Sequence, residues 1–220
     1  MSSAAFFRVE GTLSDRPTLA AAAWLASNAQ GMGERLARLG NVALAAPLAM
    51  AGELSAGTTA TRMTWMGVRG MSEDRLTVLS EEYFEKYILD SLVDVGVELL
   101  QKAKKQGRRI VLISDNIDLV IKPLADRLGA DDLLCNRLEM RKNKATGRLE
   151  DPVIGGNVSG QWARGFAEEH AIDLGTSWAY GASAADSLLL SAIGKPCAVN
   201  PDRQLRRIAR DHDWPVVERS

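Results

Sequence analysis

The sequence predicts an α/β protein in which helices cover a parallel sheet and an all-helical segment follows the first strand. Three observations carry this prediction. In the second half of the chain, short strand patterns alternate with helical patterns of about 10–15 residues, which is typical of βαβ units. Residues 110–113 are wholly apolar, as expected of a strand that is covered on both faces. A further strand pattern, residues 4–9, stands alone at the N-terminus.

The elements of the first half follow from spacing and capping. Residues 4–9 are a short apolar strand that stops at a glycine turn. From Pro17 to about Leu100, Ala- and Leu-rich stretches have helical spacing, and no strand pattern interrupts them. Pro17 suits the first position of a helix, and Ser72 suits the start of another, because acidic residues follow it.

The second half of the chain contains the alternating pattern. The predicted elements are a helix that ends near Gly107, strand 110–113, helix 117–128, strand 133–138, a polar hairpin or loop 141–147, an extended segment 152–154, helix 159–171, strand 177–180, helix 184–193, strand 196–199 and helix 203–211. Right-handed crossovers then make the sheet parallel. The loops that follow residues 9, 113 and 180 should therefore converge on one crevice, with the helical insertion above it.

The composition excludes several classes of protein. Hydrophobic residues make up 46% of the 220 residues and charged residues 25%, which argues against intrinsic disorder. The 27 Lys and Arg residues balance 28 Asp and Glu residues, so we expect no nucleic acid partner. The longest apolar run, residues 42–51, contains Pro47 and is far shorter than the roughly 20 residues of a membrane-spanning helix.

The N-terminus and the cysteines indicate a cytoplasmic protein. The chain opens without a basic region followed by a long apolar one, so we expect no signal peptide. Cys135 and Cys197 lie in apolar stretches and give no disulfide framework, which fits a reducing compartment. Together with His170 and His212 they show no metal-ligand spacing, and we expect both thiols to be inert core residues.

Five segments together carry a family resemblance. In chain order they are Phe6-Phe7-Arg8-Val9-Glu10-Gly11-Thr12-Leu13, Leu112-Ile113-Ser114-Asp115, Asn136-Arg137-Leu138-Glu139 with Thr146-Gly147-Arg148-Leu149, Tyr180-Gly181-Ala182-Ser183-Ala184-Ala185-Asp186, and Val199-Asn200-Pro201-Asp202. This order resembles the haloacid dehalogenase (HAD) superfamily, and most closely its phosphoserine-phosphatase-like subgroup, subfamily IB. The resemblance implies a Rossmann-like HAD core, residues 1–15 and 105–220, and a helical cap, residues 16–104.

The reaction that the resemblance implies does not suit the first segment. In the family, an aspartate attacks the phosphoryl group and a second aspartate two residues later acts as general acid and base. These positions hold Arg8 and Glu10 in this chain. An arginine stays protonated and has no lone pair with which to attack phosphorus. Glu10 is able to move a proton, but its side chain is one methylene group longer than that of aspartate.

The magnesium site of the family is also altered. The family holds Mg²⁺ with the first aspartate, a backbone carbonyl and an aspartate of the fourth motif, because this cation requires oxygen ligands. The first acidic position of that motif is Ala182 here, whereas Asp186 is retained. We therefore expect no metal and no cofactor. Our hypothesis is that the guanidinium of Arg8 takes the space of the metal and pairs with Asp186, Glu10 or Asp115.

The other motif positions are partly retained. Gln161 stands where the family has a lysine, with Lys122 and Lys195 as alternatives. Ser114 keeps the serine of the second motif, whose hydroxyl and neighbouring N–H groups suit a phosphate oxygen. The candidate ligand-binding residues follow two strand ends: Ser114, Asp115, Asn116 and Asp186. A cap on a strand or helix end is the alternative role for Ser114 and for Asp186.

Three functions remain open at this point. The changes in nucleophile, metal ligands and lysine favour a catalytically impaired phosphatase-like protein, a pseudophosphatase that binds an unknown protein or small molecule. In that case Arg8 and Glu10 form either a structural ion pair or a repurposed binding site. The first alternative is a weak or divergent phosphatase or hydrolase that acts on a phosphorylated small molecule or lipid.

The second alternative places the function in the cap. Residues 42–51 and the stretches around Trp24 and Trp65 are apolar, which suits contact with a partner or a lipid membrane surface. Nearby arginines suit anionic headgroups: Arg35, Arg38, Arg62 and Arg69. The same apolar stretches are equally compatible with the packed faces of small helices.

Overall fold

A six-stranded parallel sheet forms the centre of the molecule. The computed structural model describes residues 2–28, 40, 43, 58–155 and 158–218. The strands are β1 Ala4–Arg8, β2 Arg109–Ile117, β3 Asp132–Asn136, β4 Leu138–Arg141, β5 Lys144–Leu149, β6 Trp178–Gly181, β7 Lys195–Val199 and β8 Val216–Val217. The order in the sheet is β3-β2-β1-β6-β7-β8, while β4 and β5 form a separate antiparallel hairpin. The predicted α/β class is confirmed.

Helices make up most of the remaining described residues. The α-helices are α1 Thr18–Ser27, α2 Thr59–Thr64, α3 Glu73–Tyr83, α4 Asp94–Lys105, α5 Asp118–Leu128, α6 Ser159–Glu169, α7 Ser187–Ala192 and α8 Arg203–Asp211. Shorter turns continue two of them: the 3₁₀ turn Trp65–Val68 follows α2, and the π turn Phe84–Ile88 follows α3. Ser72 caps α3 as predicted, since its hydroxyl accepts a hydrogen bond from the N–H of Arg75.

The central position of β1 explains its apolar sequence. Phe6 packs into the core on one face of the sheet and Phe7 into the core on the other. Phe7 stacks on Tyr180 of β6 with ring centroids 4.2 Å apart. The register pairs Arg8 with Ile113 of β2 on one side and Phe7 with Tyr180 on the other. The carboxyl ends of β1, β2 and β6 therefore lie side by side.

The apolar stretches of the insertion that the structure describes are packed. Trp65 is fully buried, as is the apolar face of α1, so Trp65 does not reach a membrane surface. Trp24 is half-buried, and its ring lies 6.4 Å from that of Tyr83 and 5.2 Å from that of Tyr87. For Trp65 and the buried face of α1 the packed-face alternative is observed, whereas Met66, next to Trp65, is 46% exposed.

The remaining cap prediction is outside the part of the chain that the structure describes. Residues 42–51, apart from Ala43, lie outside the described residues, and so do Arg35 and Arg38. Among the described helices, none combines the length and the apolar character that crossing a membrane requires.

Helix α4 leads the chain from the insertion back to the sheet. It packs against β1 and β2. A Cβ atom at Gly96 would overlap the carbonyl oxygen of Thr12, so glycine permits the close approach of α4 to the loop after β1. The helix ends at Lys105, and it packs against the sheet although the predicted boundary places it in the cap. The boundary between cap and core at residue 105 stays a prediction.

Several elements differ from the sequence prediction. The predicted strand 133–138 is divided between β3, which ends at Asn136, and β4, which begins at Leu138, so the hairpin extends beyond the predicted 141–147 on both sides. β2 continues to Ile117, because Ile117 still pairs with Asn136 of β3 beyond a register shift. The predicted helix 184–193 consists of the 3₁₀ turn Ala184–Asp186 and the short helix α7. β8 was not predicted because two residues are too few to show alternation, and it pairs with the end of β7.

The β4-β5 hairpin of the core forms backbone hydrogen bonds with the helical insertion. Its turn residues Lys142 and Asn143 both have positive φ, as a type I′ turn requires. The N–H of Gly70 donates to the carbonyl of Ala145 at 2.7 Å, and the N–H of Ala145 donates to the carbonyl of Met71 at 2.9 Å. Segment 70–73 of the insertion thus lies against the hairpin with strand-like hydrogen bonds.

Candidate functional site

A buried arginine lies where the ends of β1, β2 and β6 meet. Arg8 is 4% exposed. Its Nε atom lies 2.8 Å from Oδ1 of Asp186, and its Nη2 atom lies 3.0 Å from Oδ1 of Asp115 and 3.3 Å from Oε2 of Glu10. The ion pairs expected of Arg8 are therefore present with all three carboxylates. We call these four residues, with Ser114, the Arg8 cluster.

Glu10 joins the cluster to the cap. Its Oε1 atom accepts a hydrogen bond from the hydroxyl of Ser114 at 2.6 Å and from the hydroxyl of Thr18 at 3.3 Å. Thr18 is the first residue of α1. Sequence reasoning missed Thr18, because only the fold brings the start of α1 back over the end of β1. Both oxygens of the Glu10 carboxylate therefore contact residues of this chain: Oε1 contacts the two hydroxyls, and Oε2 contacts Arg8.

Ser114 is fully buried and already has partners. Its hydroxyl donates to Glu10 and accepts a hydrogen bond from the N–H of Asn116 at 3.1 Å. The second contact is a local side-chain-to-backbone hydrogen bond inside β2, which continues to Ile117, so Ser114 does not cap the end of the strand as one of its two predicted roles requires. A phosphate oxygen would have to displace the bond to Glu10 before Ser114 donated to it. Its role as a phosphate ligand stays a prediction.

Asp186 both pairs with Arg8 and shapes its own loop. Its Oδ2 atom accepts hydrogen bonds from the N–H groups of Ala182 and Ser183, each at 2.9 Å. Ser183 and Asp186 form a capping box around the 3₁₀ turn, so the predicted helix-cap role is present. Gly11, at φ +77°, brings the loop after β1 against Ala182, since a Cβ atom there would lie 2.9 Å from that of Ala182.

The electrostatics of the cluster are dominated by burial. Burial opposes the charged form of Arg8, but the attraction of Asp115, Asp186 and Glu10 is greater, so its pKa lies above the usual value. Burial raises the pKa of Glu10 and that of Asp186, and the charge of Arg8 opposes both shifts without cancelling them. One cation thus faces three carboxylates, which favours uptake of a proton by the cluster.

The magnesium ion that the fold family implies does not fit this arrangement. The guanidinium of Arg8 lies within 3.3 Å of an oxygen of each carboxylate, in the space that a shared cation would need. Ala182 supplies no carboxylate on the opposite side. Among the described residues, no group of three His, Cys, Asp or Glu side chains is arranged to hold a metal ion.

The structure does not bring Gln161 to the Arg8 cluster. Gln161 is exposed on the first turn of α6, whose buried face contains Gly160 and Ala163. The prediction that Gln161 stands at the lysine position of the family is therefore wrong, because the loop before α6 has no fixed length from which that position can be counted. Ser159, at the start of α6, is buried, and its hydroxyl has no hydrogen-bond partner among the described residues.

The two alternative lysines are also surface residues. Lys122 is exposed and forms an ion pair with Asp126 one turn along α5. Lys195 is exposed and lies over the ring of Trp178 at 3.9 Å. Neither has a contact with the Arg8 cluster among the described contacts.

Asn136 positions the backbone of Asp115 and Ile154, a role that was not predicted from the sequence. Its amide donates to the backbone carbonyl of Asp115 at 2.7 Å and to that of Ile154 at 2.8 Å, and its Oδ1 accepts from the N–H of Ile154. Asn136 is buried at the end of β3. A polar residue that closes an apolar strand is the signal that could have shown this role. Asn116, the fourth candidate, is buried and caps its own loop through the N–H of Ile117.

Burial disfavours the thiolate form of both cysteines. Burial raises the pKa of the Cys135 thiol to about 12 and that of the Cys197 thiol to about 11. Both cysteines are free. Thiolate chemistry is therefore disfavoured at either position near neutral pH.

The fold and the cluster define a Rossmann-like α/β protein with a helical insertion after its first strand and a polar site at the carboxyl edge of its sheet. A profile of the haloacid dehalogenase-like hydrolase family matches residues 5–191. The chain belongs to this family, and the predicted superfamily and subgroup are confirmed.

Curated relatives share part of the chain. It is 30% identical over 151 residues to the "Inhibition of morphological differentiation protein" of Streptomyces azureus, covering 68% of this chain and 54% of that protein. It is 30% identical over 149 residues to the phosphoserine phosphatase SerB1 of Mycobacterium tuberculosis, covering 68% of this chain and 48% of that protein. The chain spans about half the length of these relatives.

Solved structures match over nearly the whole chain. A protein of unknown function from Bordetella pertussis Tohama I has a TM-score of 0.82 at 25% identity, covering 99% of this chain and 98% of that one. A substrate-bound phosphoserine phosphatase complex has a TM-score of 0.73 at 20% identity, covering 100% and 94%. The second likeness concerns the fold, which is that of phosphoserine phosphatases.

Proposed function

We propose that this chain is a phosphatase-fold protein that serves as a binding or regulatory scaffold and does not transfer phosphoryl groups at its Arg8 cluster. The observation that carries the proposal is the place and pairing of Arg8. A buried guanidinium ends β1, where the family has its nucleophile, and three carboxylates hold it there. A guanidinium cannot form an aspartyl-phosphate or replace a carboxylate ligand of a metal.

Two of the three remaining carboxylates, those of Asp186 and Glu10, are poorly placed for attack. A nucleophilic carboxylate must direct a free lone pair at phosphorus. The oxygens of Asp186 are taken up by Arg8 and by two backbone N–H groups, and those of Glu10 by Arg8 and two hydroxyls. The Nη1 atom of Arg8 is buried without a hydrogen-bond partner among the described residues, and an oxygen of a bound molecule would satisfy it.

A weak or divergent phosphatase is the second candidate. Relatives that bear the names phosphoserine phosphatase and histidinol-phosphatase favour it. Asp115 is the residue on which this reaction would depend, since its side chain is the most exposed of the three carboxylates at 24%. Arg8 would then offset the charge of the phosphoryl group.

A phosphatase assay with matched variants separates the two candidates. Phosphoserine and p-nitrophenyl phosphate are offered with Mg²⁺ to the native chain, to Asp115→Asn and to Asp126→Asn, which removes an exposed carboxylate of α5. We expect all three to release phosphate at the rate of the solution without protein. Turnover that Asp115→Asn loses and Asp126→Asn keeps would establish the second candidate.

Turnover that both variants keep would equally contradict a scaffold without catalysis, since another residue would then carry the reaction.

A combined Arg8→Asp, Glu10→Asp and Ala182→Asp variant tests the scaffold from the opposite direction. We expect it to gain Mg²⁺-dependent turnover above the native chain, because it restores the aspartates that the family has at these three positions; a variant that folds and binds Mg²⁺ but gains no turnover would contradict this expectation.

A further inference from the structure

A groove between the cap and the β4-β5 hairpin forms a second concave site. Its cavity volume is about 1040 Å³, which is the size of a small-molecule pocket. One wall is the helical segment 59–69 and the other is the outer face of the hairpin. The described residues that line it include no member of the Arg8 cluster. We call it the cap-hairpin groove.

The two walls come from different elements. Arg62 on α2, Met66 in the 3₁₀ turn and Arg69 directly after that turn all line the groove. On the hairpin, residues that point outward alternate with the buried Ala145 and Leu149. The outward-facing residues that line the groove are Glu139, Arg141, Thr146 and Arg148.

Two of the four arginines in the groove have internal partners. Arg62 pairs with Asp151, and Arg141 donates two hydrogen bonds to Glu139. Because each pair joins one cation to one carboxylate, these contacts add little net charge to the groove.

The other two arginines have no ion pair within the described part of the chain. Arg69 and Arg148 both line the groove and are exposed. Arg69 lies against the hairpin beside Gly147, the residue before Arg148, since a Cβ atom at Gly147 would lie 3.0 Å from that of Arg69. Two guanidiniums that line one groove repel one another unless an anion lies between them, and they present more donors than one carboxylate can accept.

An apolar surface adjoins these two guanidiniums. Met63 and Met66 line the groove, and Met66 is 46% exposed, which is unusual for a large apolar side chain in this structure. Methionine side chains adapt to apolar groups of different shape. The groove therefore combines two arginines that have no ion pair among the described residues with an apolar surface, and its lining also includes the exposed Glu150.

We propose that the cap-hairpin groove binds a small amphiphilic anion, with a phosphate monoester head at Arg69 and Arg148 and an apolar chain on Met63 and Met66. Three terminal phosphate oxygens match two guanidiniums better than a single carboxylate does. This site is separate from the Arg8 cluster, so it does not depend on whether the chain hydrolyses phosphate esters.

Titration calorimetry with octyl phosphate tests the site. The native chain is compared with an Arg69→Gln/Arg148→Gln variant and with Arg127→Gln/Arg164→Gln, which removes two exposed helical arginines outside the groove. We expect the first variant to bind octyl phosphate about tenfold more weakly or worse, because charge-assisted hydrogen bonds are lost. The second variant should bind like the native chain.

Further probes separate the contribution of the phosphate head from that of the alkyl group of the ligand. Met66→Ala should weaken octyl phosphate and leave the weaker binding of inorganic phosphate unchanged. Equal affinity for octanoate would overturn the assignment of the head group as phosphate. Binding only to vesicles of anionic phospholipid would overturn the groove as the binding site and indicate contact with a membrane surface instead. Absence of binding to the native chain, or equal affinity in the Arg69→Gln/Arg148→Gln variant, would overturn the proposal itself.

Discussion

At the scale of single residues, Arg8 and its carboxylates behave as one unit. Removal of one partner from a buried ion pair leaves an uncompensated charge, which costs more than the pair contributes when intact. Arg8 touches three such partners, and its own side chain is almost fully buried. The cluster therefore has a structural role whatever else it does.

This reasoning gives a prediction for Arg8→Met, which keeps most of the volume and removes the cation. We expect the free energy of unfolding to fall by about 3–5 kcal/mol. Urea unfolding followed by circular dichroism measures the change. The control is Arg16→Met, whose pairing with Asp15 at 3.8 Å is exposed and contributes about 0–1 kcal/mol. A loss of less than 1 kcal/mol for Arg8→Met would show that the cluster is dispensable.

The sequence was sufficient to predict the members of the cluster but not all their partners. Arg8, Glu10 and Asp186 were found because motif order fixes their places at strand ends, and parallel strands align those ends. Gln161 was misplaced, because the preceding loop has no period from which to count. Thr18 and the positioning role of Asn136 depend on how distant segments approach, which spacing along the chain does not report.

At the scale of elements, the approach of α4 to the sheet depends on one glycine. A Cβ atom at residue 96 would overlap the carbonyl oxygen of Thr12, a backbone atom that cannot rotate away. We expect Gly96→Ala to destabilise the chain although alanine favours helices, and thermal unfolding measures this loss. Gly165→Ala is the matched control within α6, where the new Cβ would meet nothing within 4 Å and should stabilise by about 0.5–1 kcal/mol. Equal gains from both changes would contradict the packing described for α4.

Strong periodicity explains which elements were predictable. The buried strands and the helices α5, α6 and α8 have apolar patterns long enough to define their type, and their predicted ranges overlap the observed ones. β8 and the 3₁₀ turn Ala184–Asp186 are too short for a period. Their form depends instead on pairing with β7 and on the capping box of Asp186.

At the scale of the whole molecule, the cluster makes stability depend on pH. Burial raises the pKa of Glu10 above 4.5 and that of Asp186 above 3.8, so the folded chain binds more protons than the unfolded chain in the window above those values. Their contribution to stability is present at low pH and is lost as pH rises through the raised values.

Glu10→Gln tests this dependence, because glutamine keeps an acceptor for Ser114 and Thr18 but does not titrate. We expect the stability of the variant relative to the native chain to increase as pH rises through the window. Urea midpoints over a pH series measure the difference, with the exposed Glu85→Gln as control. A difference that stays constant with pH would contradict the raised pKa of Glu10.

The architecture as a whole was predictable because the second half of the chain repeats one pattern. The connection between cap and core was not, since it rests on hydrogen bonds between segment 70–73 and the hairpin and on the contact of Thr18 with Glu10. The hydrogen bonds of the hairpin join residues far apart in sequence, and the contact of Thr18 with Glu10 closes the turn between β1 and α1. Neither has a local signature in the sequence.

The Arg8 cluster also has a consequence for the evolutionary paths open to this chain. Exchange of Arg8 alone for an acidic residue would set four carboxylates against one another in a largely buried space. That intermediate would be selected against unless a cation or a compensating substitution arrived with it. Return of position 8 to an acidic residue therefore requires a second change at the same time, because the acids around Arg8 need a cation among them.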